Sequence, residues 1–141
     1  MPRCASAPTP LPLPPPPPPL TATLPRTGAV LANQVLVATG AASMRGLLGR
    51  DCLAPGEGLY FPAATFGALH SIGMRFSFDA LYLDRRGVVR RVLRAVPPGR
   101  LCPWDLWTVA ALELPAGTLD QAGVAVGDVV WVVRAAGSGG D

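Results

Sequence analysis

Short apolar runs, separated by glycine and proline, make up most of the chain after residue 28. The clearest run is FSFDALYL at residues 76–83, and its period of two predicts a strand. The DRRG that follows has an acid first and a glycine last, which predicts a tight turn at residues 84–87. Residues 88–96 are predicted to return as the second arm of a hairpin. Further apolar runs predict strands at residues 34–38, 58–61, 109–114 and 129–133.

Only two segments have helical signals, and both are short. Residues 41–48, AASMRGLL, suit a helix that ends at Gly49 in a left-handed cap. Thr118 and Gln121 form a capping-box pattern, and Gly123 closes the single turn that they predict. Many short strands with glycine and proline turns indicate a mainly β fold, a compact antiparallel barrel-like or rolled sheet with two short helices. Loops are predicted at residues 50–57, 63–73 and 101–107.

Proline composition divides the chain. Most of the 17 prolines lie in residues 1–27, and the unbroken run from Pro14 to Pro19 favours extended polyproline II. We predict a disordered leader over residues 1–27, a single domain over residues 28–134 and a disordered glycine-rich tail over residues 135–141. A domain of this length can bury enough apolar area to fold without disulfides or metal.

Charge and cysteine content exclude several classes of protein. All 12 basic residues are arginine, but the net charge of +3 is too balanced for a nucleic-acid surface. The three cysteines have no CxxC spacing, so neither a disulfide framework nor a zinc site is predicted, and we expect no cofactor. No apolar run is long enough to span a membrane, and no signal peptide is recognised, so a cytoplasmic protein is expected.

The unusual residues gather around His70, which is the only histidine. A lone loop histidine is either a hydrogen-bonded structural residue or, facing a cleft, a base or an anion contact. Met74 is either a core gap-filler or a soft ligand. Cys52 and Cys102 have neither a neighbouring base nor a helix N-terminus in sequence, so a nucleophile built from one of them with the histidine is the weaker interpretation.

Asp79 lies inside an apolar strand, where an unpaired carboxylate is costly. We therefore expect it to meet a partner: Arg75 through chain curvature, Arg45 on the first predicted helix, or backbone amides. A buried ion pair would fix one packing arrangement, and a functional site is the alternative. Glu113, near the second predicted helix, is a further candidate to bond that helix's amides.

Aromatic side chains are concentrated in the predicted loop at residues 101–107. Trp104 and Trp107 flank an aspartate there, and their rings suit either a lid over the core or an exposed contact patch. We favour the lid.

Residues 33–133 contain four distinctive blocks of sequence, which are RGLLGR, GEGLYFP, HSIGMRFSFDALYLDRRGVVRRV and ALELPAGTLDQAGVAVGDVVWV. In this order the blocks resemble domain-of-unknown-function family 192, a group of small bacterial and archaeal proteins. The resemblance implies a compact β-rich domain with no established activity, and a branch of the family is associated with pilus-assembly and secretion genes. Many relatives carry cysteine where this chain has Ala63, which argues against thiol or metal chemistry here.

Two functional hypotheses remain. The first is a non-enzymatic accessory module that binds a small ligand or a peptide in a recess formed by His70, Met74 and Arg75, with Arg45 and Asp79 close by. The absence of a phosphate loop or a clustered metal set in the sequence favours it. The second is a small hydrolase or isomerase that uses His70 with Asp79 or Cys102 in acid–base chemistry. Both hypotheses place the imidazole and the embedded carboxylate in one neighbourhood.

Overall fold

A computed structural model describes residues 11–14, 18–38, 47–62 and 68–134. Within these ranges the chain forms nine strands and one short helix. They are β1 (Leu20–Leu24), β2 (Ala29–Val37), β3 (Glu57–Phe61), β4 (Ala68–His70), β5 (Phe78–Leu83), β6 (Val89–Val96), β7 (Leu101–Pro103), β8 (Ala110–Pro115), α1 (Thr118–Ala122) and β9 (Trp131–Arg134).

Seven of the strands form one curled half-barrel sheet in the order β6-β5-β8-β3-β2-β1-β9. Every pairing in this sheet is antiparallel except that of β2 with β3. A bridge between Val88 and Val129 joins the two ends of the sheet. The remaining strands, β4 and β7, form a separate antiparallel pair. The prediction of a mainly β, rolled antiparallel sheet is therefore confirmed.

Apolar side chains lie on both faces of the sheet, and this explains why the central strands read as continuous apolar runs. All six residues of β5 are buried, as are the first five of β8. The inner cluster fills the curl of the sheet and consists of Ala22, Leu24, Leu31, Ala32, Val35, Leu81, Leu83, Val89, Ala110, Leu112, Leu114, Leu119, Val124 and Val130. The outer cluster lies on the other face and consists of Leu47, Leu53, Leu69, Met74, Phe78, Ala80, Tyr82, Leu93, Val96 and Ala111.

The leader predicted over residues 1–27 must be corrected at its C-terminal end. Residues 20–24, LTATL, form β1, which pairs with both β2 and β9. Ala22 and Leu24 are fully buried in the inner cluster. The period of two in this segment is a strand signal, but the adjacent proline run concealed it. Residues 1–10 and the predicted tail at 135–141 lie outside the described residues.

Two of the predicted loops contain short strands. β4 lies in the segment predicted as the loop over residues 63–73, and β7 lies in the loop over residues 101–107. Each has three residues and is held by a long-range pairing, Leu69 with Cys102, that no local period can reveal. Residues 41–46 of the first predicted helix lie outside the described residues, whereas residues 47–49 form a turn. Gly49 has the expected left-handed conformation, with φ of 81°.

The second predicted helix exists, but its capping box does not form. The N-cap residue is Gly117, with φ of 92°, and no side chain of the helix caps it. The hydroxyl of Thr118 instead donates to the carbonyl of Pro115 at 2.7 Å. Gly123 closes the helix in a left-handed conformation, as its position predicts.

Candidate functional site

The carboxylate of Asp79 accepts three backbone hydrogen bonds. One oxygen accepts the N–H of Ala95 at 2.8 Å, and the other accepts those of Gly117 and Leu119, both at 3.0 Å. Asp79 itself is fully buried. The sequence left Arg75, Arg45 and backbone amides open as partners of Asp79. Among the described residues, its partners are backbone amides.

Each of these amides needs an acceptor because of its local geometry. Gly117 and Leu119 belong to the first turn of α1, whose N–H groups have no partner within the helix. Ala95 lies where the β5–β6 register shifts, and its φ of 47° is left-handed. A bulge of this kind leaves a backbone group outside the ladder. One carboxylate thus satisfies a bulge and a helix terminus at the same end of the half-barrel, which is a structural role.

The side chain of His70 is exposed, whereas that of Asp79 is fully buried and bonded to backbone amides, so the two do not face one shared site as predicted. On β4, Leu69 packs into the outer cluster and His70 points to solvent. The same alternation holds on β7, where Cys102 packs against the outer cluster and Leu101 is exposed. His70 and Cys102 therefore project from opposite faces of the two-stranded sheet. Asp79 and Ala80 are adjacent on β5, so their side chains point to opposite faces of the main sheet. Because Ala80 belongs to the outer cluster, Asp79 faces the inner cluster, on the side of the sheet away from β4 and β7.

The other predicted site residues also separate. Met74 is buried in the outer cluster, as a core gap-filler would be. Arg75 pairs with Asp51 at 2.9 Å on the exposed surface, and not with Asp79. Arg45 lies outside the described residues. The described residues therefore place Met74 in the core and Arg75 on the surface, in an ion pair with Asp51.

Ser71, which the sequence did not indicate, fixes the segment that follows His70. Its hydroxyl donates to the carbonyl of Pro97 at 2.6 Å and accepts the N–H of Arg100 at 2.9 Å. Ser71 is fully buried, and its backbone N–H also bonds the carbonyl of Arg100. The sequence could not predict this role, because a serine in a loop is common and the contact with residues 97–100 depends on the tertiary structure.

Glu113 is the most perturbed acid among the described residues. It lies on β8 between Leu59 of β3 and Ala80 of β5, and it is 3% exposed. One of its oxygens, Oε2, has no hydrogen-bond partner among the described residues. Burial raises the pKa of Glu113 to about 8, because a charged carboxylate is poorly solvated there. The sequence singled out Glu113 as an acid inside the apolar run ALEL and as a candidate to bond the amides of the helix. That prediction is wrong among the described residues, because Asp79 accepts those amides instead.

The two loop tryptophans have different surroundings. Trp104 packs against the outer cluster with its ring centroid 5.7 Å from that of Tyr82, as predicted for a lid. Its indole Nε1 is buried without a partner among the described residues. Trp107 is 67% exposed, so the lid prediction does not hold for it. Asp105 holds its loop by accepting the N–H groups of Trp107 and Thr108.

A recess of about 370 Å³ opens at the end of the half-barrel opposite α1. α1 follows the C-terminal end of β8, whereas the recess is lined by Val109 and Ala110 at its N-terminal end. Most of its lining residues are apolar in type, but slightly more than half of the surface that they expose to the recess is polar, and the polar side chains among them are those of Tyr60, Asp84 and Arg85. The described residues that line it are Tyr60, Pro62, Leu83, Asp84, Arg85, Gly87, Val109, Ala110, Val130 and Val132.

The two charged residues in the described lining of the recess, Asp84 and Arg85, differ in how far they are already paired. Oδ1 of Asp84 accepts the N–H groups of Arg86 and Val88, so this oxygen is committed to the predicted β5–β6 turn. Gly87 completes that turn with φ of 76°, as its sequence predicts. Arg85 is exposed, and among the described residues it has no carboxylate within ion-pairing distance, whereas five other arginines do. The recess therefore combines apolar side chains and exposed polar surface with one cationic side chain, that of Arg85.

The fold and this recess define the class of the protein, a small curled β-sheet domain with one end closed by a helix and the other open. A family model for domain-of-unknown-function family 192, described as "Uncharacterized ACR", matches residues 23–132. The chain belongs to this family. None of the curated proteins matches it.

Two solved structures have a similar fold. A protein of unknown function from Novosphingobium aromaticivorans is 24% identical, with a TM-score of 0.67 over 80% of this chain and 83% of that chain. A putative transcription regulator from Sinorhizobium meliloti is 22% identical, with a TM-score of 0.64 over 80% of this chain and 91% of that chain. At this identity the likeness concerns the fold alone.

Two further observations concern the described ranges only. No three His, Cys, Asp or Glu side chains there come together in a group that could hold a metal ion. No helix there has the length and apolar character needed to cross a membrane.

Proposed function

We propose that this protein is a non-enzymatic binding module whose ligand occupies the recess opposite α1. The observation that carries the proposal is the recess itself, an open cavity of about 370 Å³ that is lined mostly by apolar residue types but exposes slightly more polar than apolar surface. Ligand sites commonly combine apolar side chains with polar groups that orient the ligand. The proposed site differs from the one expected from the sequence, because His70, Met74 and Arg75 do not line it.

The alternative, a small hydrolase or isomerase, has less support from the geometry. General acid–base catalysis needs the two groups within reach of one substrate. His70 projects away from both Asp79 and Cys102, and each Asp79 oxygen already accepts backbone hydrogen bonds. The association with pilus-assembly and secretion genes, implied by the family resemblance, is compatible with an accessory binding role and stays a proposal.

A thermal-shift screen against metals, sugars, nucleotides and peptides tests the binding site with two variants. Val109→Phe fills the recess from a half-buried position and leaves the bond from the Val109 N–H to the carbonyl of Leu83 in place. His70→Ala is the control, because this exposed side chain lies away from the recess. We expect a ligand to raise the melting temperature of the wild type and of His70→Ala equally, but not that of Val109→Phe.

Two results would count against the proposal. One is a ligand that stabilises Val109→Phe as strongly as the wild type, because such a ligand binds elsewhere. The other is a shift that disappears in His70→Ala, which would return the site to the position expected from the sequence.

A further inference from the structure

The recess adjoins an open edge of the main sheet. β9 stands last in the strand order, and among the described strands it pairs with β1 alone. Just before β9, the N–H of Val130 bonds the carbonyl of Gly87 at 2.9 Å, and Gly87 is the last residue of the β5–β6 turn. The contact between this segment and the β6 end of the sheet therefore ends at Val130. Beyond Val130, β9 continues beside the recess rather than beside another described strand.

The backbone N–H and carbonyl of Val132 point towards the recess. Successive N–H groups along a strand point to opposite sides, so the N–H of Val132 points the same way as that of Val130, away from β1. The side chain of Val132 lines the recess. An unpaired donor and acceptor on an edge strand form a template for a further strand.

We propose that the recess takes an extended, acidic peptide that adds to the β9 edge as a further strand. The proposal rests on the recess being the binding site and names its ligand class. An added strand would bond the N–H and carbonyl of Val132 and place one apolar side chain between Val109 and Val130. Recognition by strand addition draws affinity from the main chain and specificity from pockets for alternate side chains.

Charge complementarity selects an acidic peptide. Arg85 lines the recess, Arg86 follows it in the exposed turn, and Arg134 ends β9. None of the three has an ion-pair partner among the described residues. Asp84 is the one acid among the described lining residues, and one of its oxygens is already bonded to the turn. The local balance of charge is therefore positive, which favours acidic partners and speeds their association.

The probe is a fluorescein-labelled, C-terminally amidated peptide of alternating glutamate and valine, measured by fluorescence anisotropy with the full chain. Methylation of one backbone nitrogen at a time is the central comparison. Methyl groups on the amides that face β9 should weaken binding about tenfold each, the cost of a lost hydrogen bond and a steric contact. Methyl groups on the alternate amides should leave affinity unchanged, because those amides face solvent.

Protein variants separate the contributions of charge and backbone. Arg85→Ala should weaken binding and reduce its salt dependence, whereas Arg100→Ala, another exposed arginine without an ion pair among the described residues, should change neither. Val132→Pro removes the edge N–H at a position where an edge strand tolerates proline. Should that variant fail to fold, the methylated peptides still test the backbone contact with the wild-type protein.

Equal affinity for all the methylated peptides would overturn strand addition. Equal affinity for a peptide with lysine in place of glutamate would overturn the acidic preference. If no peptide binds while a small molecule from the thermal-shift screen stabilises the wild type but not Val109→Phe, the peptide inference fails and the recess remains a binding site.

Discussion

The carboxylate of Asp79 accepts the amide N–H of Leu119 at 3.0 Å, across 40 positions of sequence. This bond joins β5, the second strand of the main sheet, to the first turn of α1, and Leu119 itself is fully buried in the inner cluster. The helix has five residues and no side-chain cap at its N-terminus, and a helix of this length is not stable alone. Its position therefore depends on the strand residue that accepts its amides.

Asp79→Ala should lower the free energy of unfolding by roughly 2–4 kcal/mol, because it leaves three backbone N–H groups without their acceptor. Asp79→Asn should cost nearly as much, since one oxygen becomes an NH₂ group facing N–H donors. Asp120→Ala is the control, because Asp120 pairs with Arg94 on the surface of the same helix. Urea unfolding measures all three variants, and an Asn variant as stable as the wild type would contradict this account.

Ala95→Gly should stabilise the protein by about 0.5–1 kcal/mol. Ala95 has a left-handed φ of 47°, which costs an L-residue more than it costs glycine, and the entropy of the unfolded glycine chain offsets part of the gain. The N–H bonded to Asp79 is retained in the variant. A decrease in the urea midpoint would show that the methyl group of Ala95 contributes more than its conformation costs.

Gly87→Ala should destabilise the protein more than Gly123→Ala. Both glycines are left-handed, with φ of 76° and 66°, so each substitution carries a conformational cost of about 1–2 kcal/mol. At Gly87 the added Cβ would also lie 2.8 Å from the carbonyl oxygen of Val130, whereas at Gly123 it meets nothing within 4 Å. Equal losses on urea unfolding would show that the close approach of the turn to β9 is unimportant.

Glu113→Gln should gain stability relative to the wild type as the pH rises. Burial raises the pKa of Glu113 from its ordinary value of 4.5 to about 8, so the folded state favours the neutral acid. The wild type has the full contribution of this residue below pH 4.5 and loses it between that value and pH 8, by roughly 1 kcal/mol per pH unit. Glutamine does not titrate, so the difference between the two unfolding free energies should change over this range.

Urea unfolding of both proteins at several pH values between 4 and 9 measures this difference. Because the other titrating groups are common to both proteins, their effects cancel to first order. A difference that stays constant across the range would mean that Glu113 is ionised in the folded protein.

Local signals in the sequence predicted the central hairpin well. β5 and β6 follow a strand pattern, and Asp84 and Gly87 form the turn that their residue types predict. The same reasoning failed for β1, which lies beside a proline run, and for β4 and β7, which are too short to show a period. It also failed for the capping box, because Thr118 bonds Pro115 instead.

The candidate site was less predictable than the fold. The sequence singled out Asp79 as an acid that needed a partner, and backbone amides were among the partners considered. Its association with His70 was wrong, because side-chain direction alternates on each strand and the register of β4 with β7 turns His70 outward. The recess brings together residues from β3, β8, β9 and the β5–β6 turn, and nothing local in the sequence connects them.

The sequence by itself determined where strands, tight turns and the short helix can form, because period, glycine position and proline content act over a few neighbouring residues. Only the tertiary structure decided which acids are buried, which amides they bond and which strand edge has no further partner among the described strands. Those properties depend on which strands lie side by side and which face each side chain occupies, and a one-residue change in register would reverse them.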